Sequence, residues 1–100
     1  MNVGIFADGV WGLNIIKILF FDKKFNIDFV VLRKKKDLKI LKFCKKKKIN
    51  CMSFKNVNSK KSINTIKKFN SNLFVSMSYN QIFKKNFIKF TKKKLINCHA

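Results

Sequence analysis

The sequence has no proline, no glutamate and only three glycines in 100 residues. No Gly/Ser-rich tract and no internal repeat divides it, so it reads as one unit, with lysine runs as its only low-complexity feature. Acid is scarce: Asp8, Asp22, Asp28 and Asp37 face 24 Lys+Arg, a formal net charge of +20. The three cysteines, Cys44, Cys51 and Cys98, are odd in number and widely spaced, which excludes a disulfide-stapled secreted scaffold and points to a reducing cytoplasm. Every apolar run is broken well before the roughly 18 residues that a membrane span needs. Met1 to Asp8 carries no positive charge ahead of its apolar stretch, so neither a signal peptide nor a membrane span is expected.

What is present is apolar and basic. Hydrophobic residues make up 47% and aromatics 14%, enough for one packed core. Lys, Asn, Ile and Phe supply 59 of the 100 positions, a bias that resembles compositional drift. The charge would also favour a polyanion. Yet 23 of the 24 basic residues are lysine, and Arg33 is the sole side chain able to read phosphate or guanine bidentately. Nucleic acid is therefore an open but not a favoured partner. A basic RNA-binding module would use Lys34 to Lys36, Lys45 to Lys48 and Lys92 to Lys94. These runs fall at helix ends and loops, where solvated charge is the ordinary explanation.

Apolar segments alternate in type along the chain. Asn2 to Ala7 reads as a buried strand ending in the Asp8-Gly9 turn. Val10 to Phe21 carries Leu13, Ile16, Leu19 and Phe20 at helical spacing. Ile27 to Leu32 is a second strand, apolar at almost every position. Asp37 to Lys48 is a helix with Asp37 as N-cap and Leu38, Leu41 and Cys44 or Lys45 on one face. Ile49 to Phe54, Leu73 to Met77 and Leu95 to Cys98 complete five strands. Ser59 to Phe69, capped by Ser59 or Ser62, and Gln81 to Phe90 complete the helices. Strands apolar throughout, alternating with helices, imply a Rossmann-like, doubly wound α/β fold: a mainly parallel sheet of about five strands with helices on both faces. Ligands of such sheets lie beyond the carboxyl ends of the strands, at Ala7 to Gly12, Leu32 to Lys36, Ser76 to Gln81 and Asn97 to Ala100.

Two of these segments carry candidate chemistry. Around Gly4, Gly9 and Gly12, backbone amides at a strand-to-helix turn could receive an anion. Equally, Gly9 could serve the turn and Gly12 close helix packing. Trp11 could stack on a planar ligand or pack in the core. At the last strand end, Asn97 and His99 lie two residues apart, so an extended backbone sends both side chains to one face and Cys98 to the other, toward the core. An amide donor beside an imidazole suits a reaction that develops an oxyanion. Cys44, Cys51, Cys98 and His99 show no C-x-x-C spacing, and no metal site is read from them.

Asn97-Cys98-His99-Ala100, placed after five alternating strands, resembles the start of the Asn-x-His catalytic loop of the formyltransferase family, in its N-terminal, 10-formyltetrahydrofolate-using domain. The first strand with its Gly turn, the Leu73 to Met77 strand and Ser78-Tyr79-Asn80-Gln81-Ile82-Phe83 add to the resemblance, which covers the chain from 1 to 100. The Ser76 to Phe83 loop is most similar to that of sugar N-formyltransferases, which formylate a nucleotide-linked amino sugar. Methionyl-tRNA formyltransferases are the alternative, although their first loop usually reads Gly-Thr-Pro-x-Phe where this chain has Ala-Asp-Gly-Val-Trp-Gly. The resemblance implies a pterin held by Met77, Ser78, Tyr79, Asn80, Gln81 and Ile82, largely through backbone contacts. It also implies catalysis by Asn97 and His99, and acceptor contacts from Asp8, Gly9 and Trp11. The family's Leu-Pro segment and its catalytic Asp follow the His, beyond Ala100. The sequence is accordingly expected to be the N-terminal part of a formyltransferase-like domain, its sheet incomplete at the C-terminus, and inactive by itself.

Overall fold

The structure, a computed structural model, describes residues 1–33, 37–79, 81–92 and 94–98. Five strands form one sheet: β1 (Asn2–Ala7), β2 (Asn26–Leu32), β3 (Cys51–Ser53), β4 (Leu73–Met77) and β5 (Leu95–Cys98). Their order is β3-β2-β1-β4-β5, and all pairings are parallel. The helices are α1 (Gly9–Phe21), α2 (Leu38–Lys46), α3 (Lys60–Lys67) and α4 (Lys85–Thr91). This is the doubly wound α/β arrangement expected. Among the described residues no helix is long and apolar enough to cross a membrane.

The continuous apolar strands are continuous because each face has its own helical cover. Val3, Ile5 and Ala7 of β1, Val30 and Leu32 of β2 and Val75 of β4 meet Ile16 and Leu19 of α1 and Ile40 and Cys44 of α2. The other face sets Phe6, Phe29, Val31 and Phe74 against Val57, Ile66 of α3 and Phe87 of α4. Phe6 is the hub there, in edge-to-face contact with Phe29, Tyr79, Phe83 and Phe87 at centroid distances of 5.2–5.9 Å.

Several local expectations are revised. In α2 the buried pair is Ile40 and Cys44, while Leu38 is 65% exposed and Leu41 half-buried. The rotation is set by Asp37, whose carboxylate accepts from the Ile40 N–H at 3.1 Å and from the Gly9 N–H at 2.9 Å, tying the starts of α1 and α2 together. Of the two candidate caps for α3, Ser59 is the one used, accepting from the Ser62 N–H at 3.1 Å. The stretch Gln81–Lys84, expected to be helical, is a loop, and α4 begins only at Lys85. β3 shrinks to three residues. Trp11 is 58% exposed, which removes the core-packing reading. Of the lysine runs, Lys34 to Lys36 and Lys93 lie outside the described residues. Lys45 and Lys46, Lys67 and Lys89 occupy last turns of α2, α3 and α4, where a cation meets the negative end of the helix dipole.

Cys44 and Cys51 sit together where α2 meets β3. The hydrogen bond between the thiols, then burial, pushes Cys44 well above the ordinary thiol range, while the same bond holds half-buried Cys51 below it. Thiolate character governs alkylation, so iodoacetamide at neutral pH should modify Cys51 well before Cys44 in the folded protein. Cys44→Ala should slow the reaction at Cys51 by removing the donor. Peptide mass spectrometry of a time course checks both, and equal rates at the two thiols would refute the assignment.

Candidate functional site

Because the sheet order reverses between β1 and β4, the chain leaves these two neighbours in opposite directions and opens a crevice beyond their carboxyl ends. Ala7 pairs with Met77, and Met77 with Cys98, so three strand ends are level at this point. Parallel neighbours in register share a face. Asn97, paired with Ser76, therefore projects toward the α3/α4 side together with Phe6, Phe74 and Leu95, while Cys98 turns to the opposite face and packs, half-buried, against the α1/α2 core.

On the Asn97 side is a cleft of about 480 Å³, within the usual range for small-molecule sites. Its walls bring together Ser78, Tyr79, Gln81 and Ile82 from the loop after β4, Asn97 from β5 and the apolar Phe83, Ile88 and Leu95. Met77 ends β4 beside them, with its backbone engaged in the sheet. Asn80 and His99 lie outside the described residues.

The polar groups of this wall are already sorted. Ser78 adopts a left-handed backbone at φ 57°, which costs a non-glycine residue about 1–2 kcal/mol and persists only where the surroundings impose it. Tyr79 stacks on Phe83 at 5.8 Å and meets the edge of Phe6 at 5.7 Å. Its hydroxyl is buried and has no hydrogen-bond partner among the described residues. Burial disfavours the phenolate and pushes its pKa up to about 12, so Tyr79 stays protonated at physiological pH. The Gln81 amide is already engaged within the protein: Oε1 accepts from the Val57 N–H at 2.7 Å and Nε2 donates to the Phe54 carbonyl at 3.0 Å. Ile82 is 83% exposed, an apolar side chain at the cleft with almost no protein cover.

Asp8, Gly9 and Trp11 are not part of this cleft. Asp8 pairs with Arg33 at 3.7 Å, a partly exposed ion pair worth about 0–1 kcal/mol. The Gly9 amide, a candidate anion donor, is taken by the Asp37 carboxylate. Gly9 has φ 67° with open space around its Cα, whereas a Cβ on Gly12 would sit 2.9 Å from the Ala7 Cβ. The turn and close-packing roles thus account for both residues. Gly9→Ala should cost about 1–2 kcal/mol through its backbone alone, and Gly9→Asn less, since Asn tolerates this region. Gly12→Ala should cost about 1–3 kcal/mol through overpacking of α1 on β1. Thermal melts of the three variants distinguish these causes, and Asn failing to outperform Ala at position 9 would refute the first.

Asn58 was not singled out by sequence reasoning. It is buried on the loop between β3 and α3, and it holds the 81–84 stretch through its side chain. The polar run Asn56-Val57-Asn58-Ser59 ahead of a helix was the available signal, but it reads equally as an ordinary turn and cap.

No protein-family model and no curated protein matches the chain. Among solved structures the fold is similar to phosphoribosylglycinamide formyltransferase from Anaplasma phagocytophilum, with a TM-score of 0.79 and 19% identity over 97% of this chain and 48% of that one. The same enzyme from Brucella melitensis gives 0.74 and 17% over 96% and 55%. Glycinamide ribonucleotide transformylase 1 from Geobacillus kaustophilus gives 0.77 and 13% over 96% and 56%. The likeness is one of fold, and the chain spans about half the length of these structures.

Proposed function

We propose that this chain is the formyl-donor part of a formyltransferase, which moves a formyl group from 10-formyltetrahydrofolate to a primary amine on a small phosphate-bearing acceptor. The carrying observation is that the loop after β4 and Asn97 of β5, read separately from the sequence, line one cleft at the switch point of the sheet. The cleft suits a flat, partly polar ring. Ile82, Phe83, Ile88 and Leu95 offer apolar surface, and Ser78 and Asn97 a polar edge.

In the proposed reaction the acceptor amine attacks the formyl carbon and a new C–N bond forms. The carbonyl oxygen becomes an oxyanion, which the Asn97 amide and protonated His99 stabilise. The bond from carbon to N10 of the folate then breaks, and the proton lost by the attacking amine ends on N10, leaving tetrahydrofolate. A preorganised donor in a cleft of low dielectric acts most strongly where charge develops. Protonated Tyr79 serves as part of the wall and takes no proton. The reading places the enzyme in a reducing cytoplasm.

Two acceptors fit this class. The fold neighbours are named for glycinamide ribonucleotide, and the Ser76 to Phe83 loop resembles that of enzymes formylating nucleotide-linked amino sugars. The intact protein, as its gene encodes it, should be incubated with 10-formyltetrahydrofolate and each acceptor, and the products resolved by mass. A 28-dalton gain on one of them, lost in His99→Ala, supports the function and selects the acceptor; no gain on either overturns it.

A further inference from the structure

We propose that Asn58 is the positioning residue for the folate wall of the cleft, acting through Ile82; the inference rests on the function proposed above. Ile82 is the most exposed apolar side chain of the wall, so packing cannot fix where it stands. Its backbone does have a hold: the Asn58 Nδ2 donates to the Ile82 carbonyl at 2.8 Å, and the Asn58 Oδ1 accepts from the Lys84 N–H at 2.8 Å. One side-chain amide thus clamps both ends of a three-residue span that belongs to no helix or strand. The clamp is itself fixed, because the Asn58 N–H donates to the Asn56 Oδ1 at 2.9 Å and its carbonyl accepts from the Asn86 Nδ2 at 2.8 Å. Gln81 reaches back across the same seam to the Val57 N–H and the Phe54 carbonyl. Every one of these partners is on the loop after β3, on the loop after β4 or at the start of α4, so the shape of the folate wall is set from the neighbouring crossover.

The chemistry requires an amide at this position. One partner is a carbonyl and the other an N–H, so the side chain must donate on one side and accept on the other. Aspartate keeps the acceptor and turns a second oxygen toward the Ile82 carbonyl; leucine keeps the volume and loses both bonds. A wall already held in its binding conformation spares the ligand the ordering of a flexible loop, which is the general source of affinity by preorganisation.

The test uses the intact protein with 5-formyltetrahydrofolate as a non-transferring probe. Asn58→Leu should weaken probe binding at least tenfold and raise KM for 10-formyltetrahydrofolate in parallel, with KM for the acceptor within twofold of wild type. Hydrogen exchange should accelerate at the Lys84 amide, which Asn58 holds, and not at those of β1 or β4. Asn58→Asp should fall between, and it carries the test if the leucine variant does not fold. Gln81→Leu should weaken binding less than additively with Asn58→Leu, as two parts of one seam do. A freely exchanging Lys84 amide with unchanged probe affinity would overturn this inference and leave the function standing. No probe binding by the wild type would overturn both.

Discussion

Under the function proposed above, Asn97→Ala in the intact protein should lower the rate of formyl transfer by about 10²–10³, the usual loss when one preorganised donor to a developing oxyanion is removed. The effect should fall on kcat and spare KM for both substrates, because the bond strengthens only as the oxyanion forms. Asn97 is suited to such a substitution. It is exposed on the edge strand β5, shares a face with buried Ser76, and carries no core packing, so the fold should be untouched. Stopped-flow measurement of transfer beside a thermal melt separates the two. A drop in rate matched by a drop in melting temperature, or a rise in KM alone, would remove Asn97 from the reaction.

The second large effect is structural. A Cβ on Gly4 would collide with the Cζ end of the Phe29 ring. Phe29 is fully buried between Phe6, Phe69 and Phe74, and the strand register shifts at this point, with a bulge between Val3 and Gly4. Neither partner can yield. β1 is the central strand, bonded on both sides, and the ring has no free volume to enter. Gly4→Ala should therefore cost about 3 kcal/mol or more, the range of overpacking that expels a core aromatic. In a domain of this size about 1 kcal/mol moves the melting temperature by roughly 4–8 °C, so the loss is easily read by calorimetry. Pairing it with Phe29→Leu should recover part of the loss, since the second change vacates the space that the first needs. A variant melting within a few degrees of wild type would show that the ring is free to move.

These two residues mark how far the sequence carries. The place of Asn97 was legible, because the apolar run from Leu95 to Cys98 reads as a strand; its catalytic role belongs to the proposal. The strands were legible for the same reason: residues buried on both faces leave no polar alternation, and only a sheet covered on both sides accepts that pattern. Asp37 and Ser59 were legible as caps, since a short polar side chain before an apolar period has few other uses. Gly4 was seen as one of several glycines around a turn, and its partner Phe29 is 25 residues away in another strand. Gln81 to Lys84 looked helical because Ile82, Phe83 and Phe87 fit the period. The side-chain amides of Gln81 and Asn58 outbid the helix for those backbone groups, and a competitor from another crossover is invisible in a local pattern.

By itself the sequence determined the layers: which segments are strands, which helices cover them, and that the chain winds on both sides of a parallel sheet. Those follow from burial, which each segment records in its own composition. Tertiary structure alone decided what stands beside what. It placed the loop after β4 and Asn97 around one cleft, left Asp8, Gly9 and Trp11 outside it, turned Ile40 rather than Leu38 inward, and set Asn58 behind Ile82. Adjacency of this kind depends on strand order and register, and these are properties of pairs of distant segments that no single segment encodes.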